Sequence, residues 1–320
     1  MNIATALNKK YLLYTGVMLI SLCENNKEHI NAFLLHSELE NEDITKLNEA
    51  LNDYDITIIS LKIDRNQFDD RLPRDTQWSI ETYYRLMLLD ILPDYVDRLL
   101  YIDVDIVVNK SLKELYSIDF EGKEIMAAED SCGKRTIESF GIKQKSMFAP
   151  MLEQGFRYFN AGVMLLNIGV MKQKYNFKSY MDAVEKWEYQ MEAPDQDILN
   201  YVHWNSVGYI DWKKYDLFAR IAHNDGYTYD YVKNNTAIIH FAGYKPWEVS
   251  NAHFDIEQIW WDYAKLTPFY MHFLEELQRN LMFDNELEQF MAQLISENSQ
   301  LKDKVKEMFQ INQKILSLIK

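Results

Sequence analysis

Cysteine, basic charge and long apolar runs are all scarce in this sequence, and each scarcity closes off a class of function. Cys23 and Cys132 are the only two cysteines in 320 residues. Thiols so far apart give neither a disulfide framework nor a metal-ligand spacing, so both are expected to be reduced. Lys and Arg number 34 against 49 Asp and Glu, for a net charge of −15. That balance offers no basic face, so no nucleic-acid partner is expected. A phosphorylated ligand would then need a metal ion or a placed Lys or Arg. The longest apolar run, Tyr11 to Cys23 between Lys10 and Glu24, is too short to span a bilayer. It also lacks a signal-peptide cleavage pattern, and a cytoplasmic location is expected.

What is present reads as an α/β domain. Apolar residues make up 48% and charged residues 26%, which suits a globular chain. The 21 Tyr and 7 Trp suit either core packing or pockets for ligands that are partly polar and partly flat. Ile3–Ala6, His29–Leu35, Asp55–Leu61 and Arg98–Ile102 read as strands. Thr15–Cys23, Asn41–Asn52 and Ile80–Leu92 read as helices between them, the last stopped by Pro93. The alternation predicts a mainly parallel sheet with helices on both faces, and ligands beyond the carboxyl ends of its strands. Further on, Tyr158–Asn167 and Thr236–Phe241 are strand-like, and Phe177–Glu192, Asp195–His203 and Ile256 to Met282 helical. At the end, Leu287, Leu294, Leu301, Met308 and Ile315 recur every seven residues, interleaved with Met291, Asn298, Val305, Asn312 and Ile319. That is a heptad repeat with Asn at two a positions, which favours a parallel homodimer through 287–319. The five Lys against two acids in 302–320 also suit a helix lying on a membrane, peripherally on its inner face.

Four short patterns carry chemistry. Asp103-Val104-Asp105 follows the apolar Leu99–Ile102; on an extended backbone both carboxylates point one way and reach one hard cation. His240 ends a second strand, and an imidazole with two carboxylates makes a mixed set that suits Mn²⁺ better than Mg²⁺. After it, Gly243 allows close backbone approach, and Lys245 can neutralise a diphosphate oxygen. Asn160-Ala161-Gly162 leaves room for a ligand and offers a donor and an acceptor to a hydroxyl. Pro194-Asp195-Gln196-Asp197 opens a helix, where either Asp could be an N-cap.

The order D-x-D, N-A-G, P-D-Q-D-x-L-N, then H-F-x-G and K-P-W resembles the retaining glycosyltransferases of family 8. These include bacterial lipopolysaccharide and adhesin glycosyltransferases and glycogenin. The resemblance spans roughly residues 1–250 and implies a GT-A fold, a Rossmann-like mixed sheet flanked by helices, to which the heptad pattern adds a helical or coiled-coil extension. It places the catalytic domain over 1–255, and the chain's own pattern adds a helical segment at 256–282 and the heptad helix at 283–320. It also implies a UDP-sugar donor, a sugar-bearing acceptor and Mn²⁺, with Mg²⁺ second. By position, Asp103, Asp105 and His240 would hold the metal, Val104 would lie against the donor, and Gly243 and Lys245 would meet the diphosphate. Arg85 would bind the donor; Ala6, Asn8 and Tyr11 would hold the uridine. Asn160, Ala161, Asp195 and Gln196 would contact the sugars, and Asp130 the donor sugar or acceptor. Asn8 stands where members often carry Asp, and Lys10 where they often carry Asn. Two other readings are a non-catalytic sugar-nucleotide-binding subunit and a nucleotidyltransferase. The second normally has a Gly- and Lys-rich first loop, and Ala4–Tyr11 lacks the glycines.

Overall fold

The structure is a computed structural model that describes residues 1–73, 79–135, 137–243, 245–248, 254–283, 296, 298–306 and 308. Its strands are β1 (Asn2–Ala6), β2 (Ile30–His36), β3 (Ile56–Lys62), β4 (Leu99–Ile102), β5 (Ile106–Val108), β6 (Ile125–Glu129), β7 (Phe159–Leu166), β8 (Val207–Tyr209), β9 (Leu217–Phe218) and β10 (Ile238–His240). Seven form one sheet in the order β3-β2-β1-β4-β7-β6-β8, and β5-β10-β9 form a small second sheet. In the large sheet every pairing is parallel except the two made by β7. The sheet is therefore mixed, as expected, and mainly parallel, with a single strand running against the rest.

Burial explains the order. Every residue of β4 and β7 is buried, as befits central strands covered on both faces. β3 alternates exposed and half-buried residues and ends on Lys62, which suits an edge that must not recruit another chain. The Leu12–Asn25 helix is apolar almost all round and buried for most of its length. The polar Asn41–Ala50 helix starts on a capping box between Glu40 and Asp43, which satisfies two end groups at once.

Two segments depart from the expected elements. Ile80–Leu92 is a 3₁₀-helix over Ile80–Met87 and α-helical only over Leu88–Ile91. A 3₁₀ run this long is uncommon, and it eclipses side chains three apart. Here that brings Ser79, Thr82 and Arg85 to one cavity wall. The helix expected over Phe177–Glu192 stops at Lys186, because Glu188 and Tyr189 both take positive φ, 53° and 59°.

The chain divides into two compact units, Met1–Pro246 with His253–Tyr270, and Trp247–Ala252 with Met271–Lys320. The Gln258–Ala264 helix belongs to the first: Trp260 packs against Tyr14, and Tyr263 Oη accepts from Asn25 Nδ2 at 2.9 Å. In the second unit, Ser296, Asn298–Lys306 and Met308 are helical, and Leu301, Val305 and Met308 are exposed on it. The heptad positions Leu287, Met291, Leu294, Asn312, Ile315 and Ile319 lie outside the described residues. Among the described residues no helix is long and apolar enough to cross a membrane.

Away from the site, Glu124 and His203 are both fully buried and pair at 2.8 Å, with Lys174 on the other carboxylate oxygen at 2.6 Å. Burial works to raise the Glu124 carboxyl, but His203 and Lys174 outweigh it and bring it down to about 2. A carboxyl depressed in the folded state stabilises the fold above its unfolded value, and that contribution fades as pH falls toward 2. Glu124→Gln should therefore flatten the acid side of the stability curve by about 1 kcal/mol per pH unit between pH 4.5 and 2.5. Urea midpoints measured at pH 3, 4 and 5 check this; parallel curves for both proteins would disprove it.

Candidate active site

The carboxyl ends of β1 and β4, the start of β7 and the end of β10 converge on one cavity of about 660 Å³. Asp103 and Asp105 reach it through a turn between β4 and β5, not through the extended backbone expected from strand alternation. The turn carries the chain from the large sheet into the small one. Asp103 N donates to Gly162 O at 2.9 Å, and Phe241 N to Asp105 O at 2.9 Å. Both aspartates are thereby pinned to the strands that bring in their partners. Asp103, Asp105 and His240 each present a ligand atom within 4.8 Å of the others.

His240 is aimed by its surroundings. Its Nδ1 pairs with buried Asp216 Oδ1 at 2.9 Å, which turns Nε2 toward Asp105 Oδ1, 3.5 Å away. A carboxylate behind a histidine in this way fixes the ring and raises its basicity, the usual support of a metal-binding imidazole. Burial opposes a charged ring, but Asp105 and Asp216 outweigh it and push His240 up to about 10. Burial likewise works to raise Asp105, yet Lys245 and His240 hold its carboxyl well below the usual range. Lys245 Nζ pairs with Asp105 Oδ2 and donates to Phe241 O. Gly162 leaves the room this cluster needs: a Cβ there would lie 2.5 Å from His240 Cε1 and 2.9 Å from Asp103 Oδ2. The donor set, its orientation and this clearance all fit a hard divalent cation.

The other wall is an ion-pair hub. Arg85, buried, donates through Nη2 to Asp103 Oδ1 at 2.8 Å and pairs through Nε with Asp195 Oδ2 at 2.9 Å. It also donates to Ala161 O and lies 4.4 Å from the Tyr101 ring centroid. Burial raises Asp195 against the pull of Arg85, with Asp103 adding to the rise, to about 6. Neither Asp195 nor Asp197 is the N-cap itself; that position is Ala193. Asp197 does the capping from inside the helix, accepting from Glu192 N at 2.8 Å and Ala193 N at 3.0 Å. Asp195 is thereby left to Arg85.

Asn160 ties the wall together. Its Nδ2 donates to Asp130 Oδ1 at 3.2 Å and Gln196 Oε1 at 3.0 Å, and its Oδ1 accepts from Gly162 N at 2.8 Å. The expected donor and acceptor are both present, but both are spent inside the protein. Asn8 caps the short helix Lys9–Tyr11 by accepting from Tyr11 N at 3.2 Å.

A family model described as glycosyl transferase family 8 matches residues 2–250. The chain belongs to that family. Family 8 relatives include the lipopolysaccharide 1,2-glucosyltransferase of Escherichia coli, 28% identical over 77% of this chain and 73% of its own length. The lipopolysaccharide 1,3-galactosyltransferase of Salmonella typhimurium is also 28% identical, over 77% and 72%. A putative glycosyltransferase of Haemophilus influenzae is 28% identical over 66% of this chain, and the match spans 62% of that protein. Among solved structures, an active-site mutant of LgtC superposes with a TM-score of 0.70 at 25% identity, covering 84% of this chain and 96% of that one. The galactosyltransferase LgtC in complex with donor and acceptor sugar analogs gives 0.66 at 23%, with the same coverage. The fold is that of the GT-A glycosyltransferases.

Every site residue expected from the family resemblance lines the one cavity: Ala6, Asn8, Tyr11, Arg85, Asp103, Val104, Asp105, Asp130, Asn160, Ala161, Asp195, Gln196, His240, Gly243 and Lys245. Sequence reasoning missed Asp216, which orients His240, and Arg135, which donates to Asp130 Oδ2 at 3.0 Å. Asp216 stands before a strand of two residues, too short to give a periodic signal.

Proposed function

We propose that this family 8 protein transfers a hexose, galactose or glucose, from a UDP-sugar to a hydroxyl of a glycan, glycoprotein or lipid-linked sugar, with retention at the anomeric carbon. The observation that carries the reading is the convergence of Asp103, Asp105 and His240 beside Lys245, opposite Asp195 and Gln196, across one cavity. Asp103, Asp105 and His240 would hold Mn²⁺, which when bound stabilises charge on a leaving diphosphate. Lys245 adds a second positive charge at the same edge. Arg85 fixes Asp103 and Asp195 by bridging them.

Gln196 bears on the route. Its Oε1 accepts from Asn160 Nδ2 and from Ala161 N at 2.9 Å, so its amino group is the end left for a sugar. An amide held by its carbonyl in this way donates a hydrogen bond and has no lone pair to offer an anomeric carbon. This favours attack of the acceptor oxygen from the face that UDP leaves. The C–O bond to UDP breaks as the new glycosidic bond forms, and the acceptor's proton passes to the departing phosphate oxygen.

A panel of UDP-sugars incubated with Mn²⁺ tests the reading. UDP should accumulate with one or two of them, at least tenfold above the chelated control, and return when Mn²⁺ is restored. No turnover would leave a sugar-nucleotide-binding subunit, and pyrophosphate chemistry a nucleotidyltransferase. We also infer that the heptad helix pairs two copies of the chain, since Leu301, Val305 and Met308 share one exposed face at successive d, a and d positions of the repeat. Sedimentation should give a dimer for the full chain and a monomer for residues 1–282; two monomers would end that idea. Pelleting with anionic vesicles tests peripheral membrane contact by the same helix.

A further inference from the structure

Behind Asp130 lies a second cavity, of about 360 Å³, with Asp130 and Arg135 in the walls of both. Its volume falls within the range of small-ligand sites, about 300–1,000 Å³. The ridge between the two is Ser131-Cys132-Gly133, all left-handed, with φ of 52°, 54° and 70°. Ser131 faces the main cavity and Gly133 the second. A left-handed conformation costs Ser and Cys roughly 1–2 kcal/mol each. Such strain persists only where the surroundings enforce it, and it gathers at ligand sites. Here Cys132 Sγ accepts from Phe218 N at 3.4 Å, which anchors the ridge to β9.

The lining says what the cavity would take. Phe156 and Tyr158 supply aromatic surface, and such rings pack well against the C–H faces of sugars. The charges are mostly paired: Glu129 with Arg157, and Asp130 with Arg135 at 3.0 Å. A free anion or cation would have to break those pairs, whereas neutral hydroxyls can hydrogen-bond to their edges. Arg135 also reaches the catalytic wall, since Nη2 donates to Gln144 Oε1 at 2.9 Å and Gln144 Nε2 to Asp197 Oδ1 at 2.7 Å.

We propose that this second cavity is an acceptor subsite, holding the sugar ring adjacent to the hexose that receives the transfer. The proposal rests on the glycosyltransferase reading above. Acceptors of two sugars then bind through both cavities, and acceptors of one sugar through the main cavity alone.

The test uses the full-length protein, UDP-galactose and UDP-glucose, and two matched acceptor pairs: methyl β-lactoside with methyl β-galactoside, and methyl α-maltoside with methyl α-glucoside. In at least one pair the disaccharide KM should be tenfold or more below the monosaccharide KM. Ala149→Trp places bulk in the cavity lining and should raise the disaccharide KM to near the monosaccharide value. Donor KM, read from UDP-sugar hydrolysis without acceptor, reports whether the main cavity is intact. Glu153→Trp, at an exposed position of the same lining, carries the same expectation should Ala149→Trp not fold. Donor hydrolysis with no disaccharide advantage in either pair overturns the subsite alone. So does an advantage that survives the folded variants. No UDP release from any donor overturns the transferase reading and the subsite with it.

Discussion

Gly162→Ala is expected to reduce Mn²⁺-dependent UDP release on the order of 10²-fold in a protein that remains folded. The added Cβ would sit 2.5 Å from His240 Cε1 and 2.9 Å from both Asp103 Oδ2 and Asn160 Oδ1. Ordinary contacts to a methyl group lie at about 3.5–4.0 Å, so these groups must retreat by roughly 1 Å. His240 cannot retreat freely, because Asp216 holds its other nitrogen and Phe218 packs against its ring. Displacement therefore falls on the geometry of the three candidate ligands, where about 1 Å is enough to lose two orders of magnitude. The Mn²⁺ concentration giving half-maximal rate should rise with the loss of rate. An unchanged rate and Mn²⁺ dependence would show that Gly162 is not the floor of the metal cluster.

Arg85→Met should destabilise the protein by about 3–5 kcal/mol, the cost typical of leaving buried charges without their partner. Arg85 is the buried cation between Asp103 and Asp195, and methionine fills similar space without a single donor. Asp195, itself buried, would lose the partner that opposes its desolvation. Arg85→Lys keeps the charge but not the fork, and an ammonium cannot span both carboxylates with the same geometry. It should fall between wild type and Arg85→Met in urea midpoint, while UDP release falls in both variants. A stability loss below about 1 kcal/mol in Arg85→Met would mean that water or the neighbouring aspartates replace the guanidinium.

Long, strongly patterned elements were legible in the sequence. β1 to β4 and the helices between them lie within two or three residues of where apolar periodicity puts them. The short strands β5, β8 and β9, of two or three residues each, carry no readable period and owe their existence to their neighbours. The direction of β7 was equally silent, since alternation reports burial and not polarity. Residues that line the one cavity could be named because motif types survive reading in one dimension. Their partners could not: Asp216 meets His240 through the pairing of β9 with β10, and Gln144 meets Asp197 through the packing of two helices, while Arg135 turns back on Asp130 from a loop. The turn at Asp103-Val104-Asp105 shows the same limit from the other side. Its carboxylates converge as expected, but by a reversal of the chain and not by the alternation of a strand.

The ladder between β4 and β7 is buried at every residue, and the Asp103 N to Gly162 O hydrogen bond extends it into the site. In hydrogen exchange, its amides should therefore open only with the whole fold, while the surface loops exchange first. The floor that would position the diphosphate is then among the slowest parts of the molecule to move. Any opening that admits a ligand would then be local and would leave the candidate ligands Asp103, Asp105 and His240 in place.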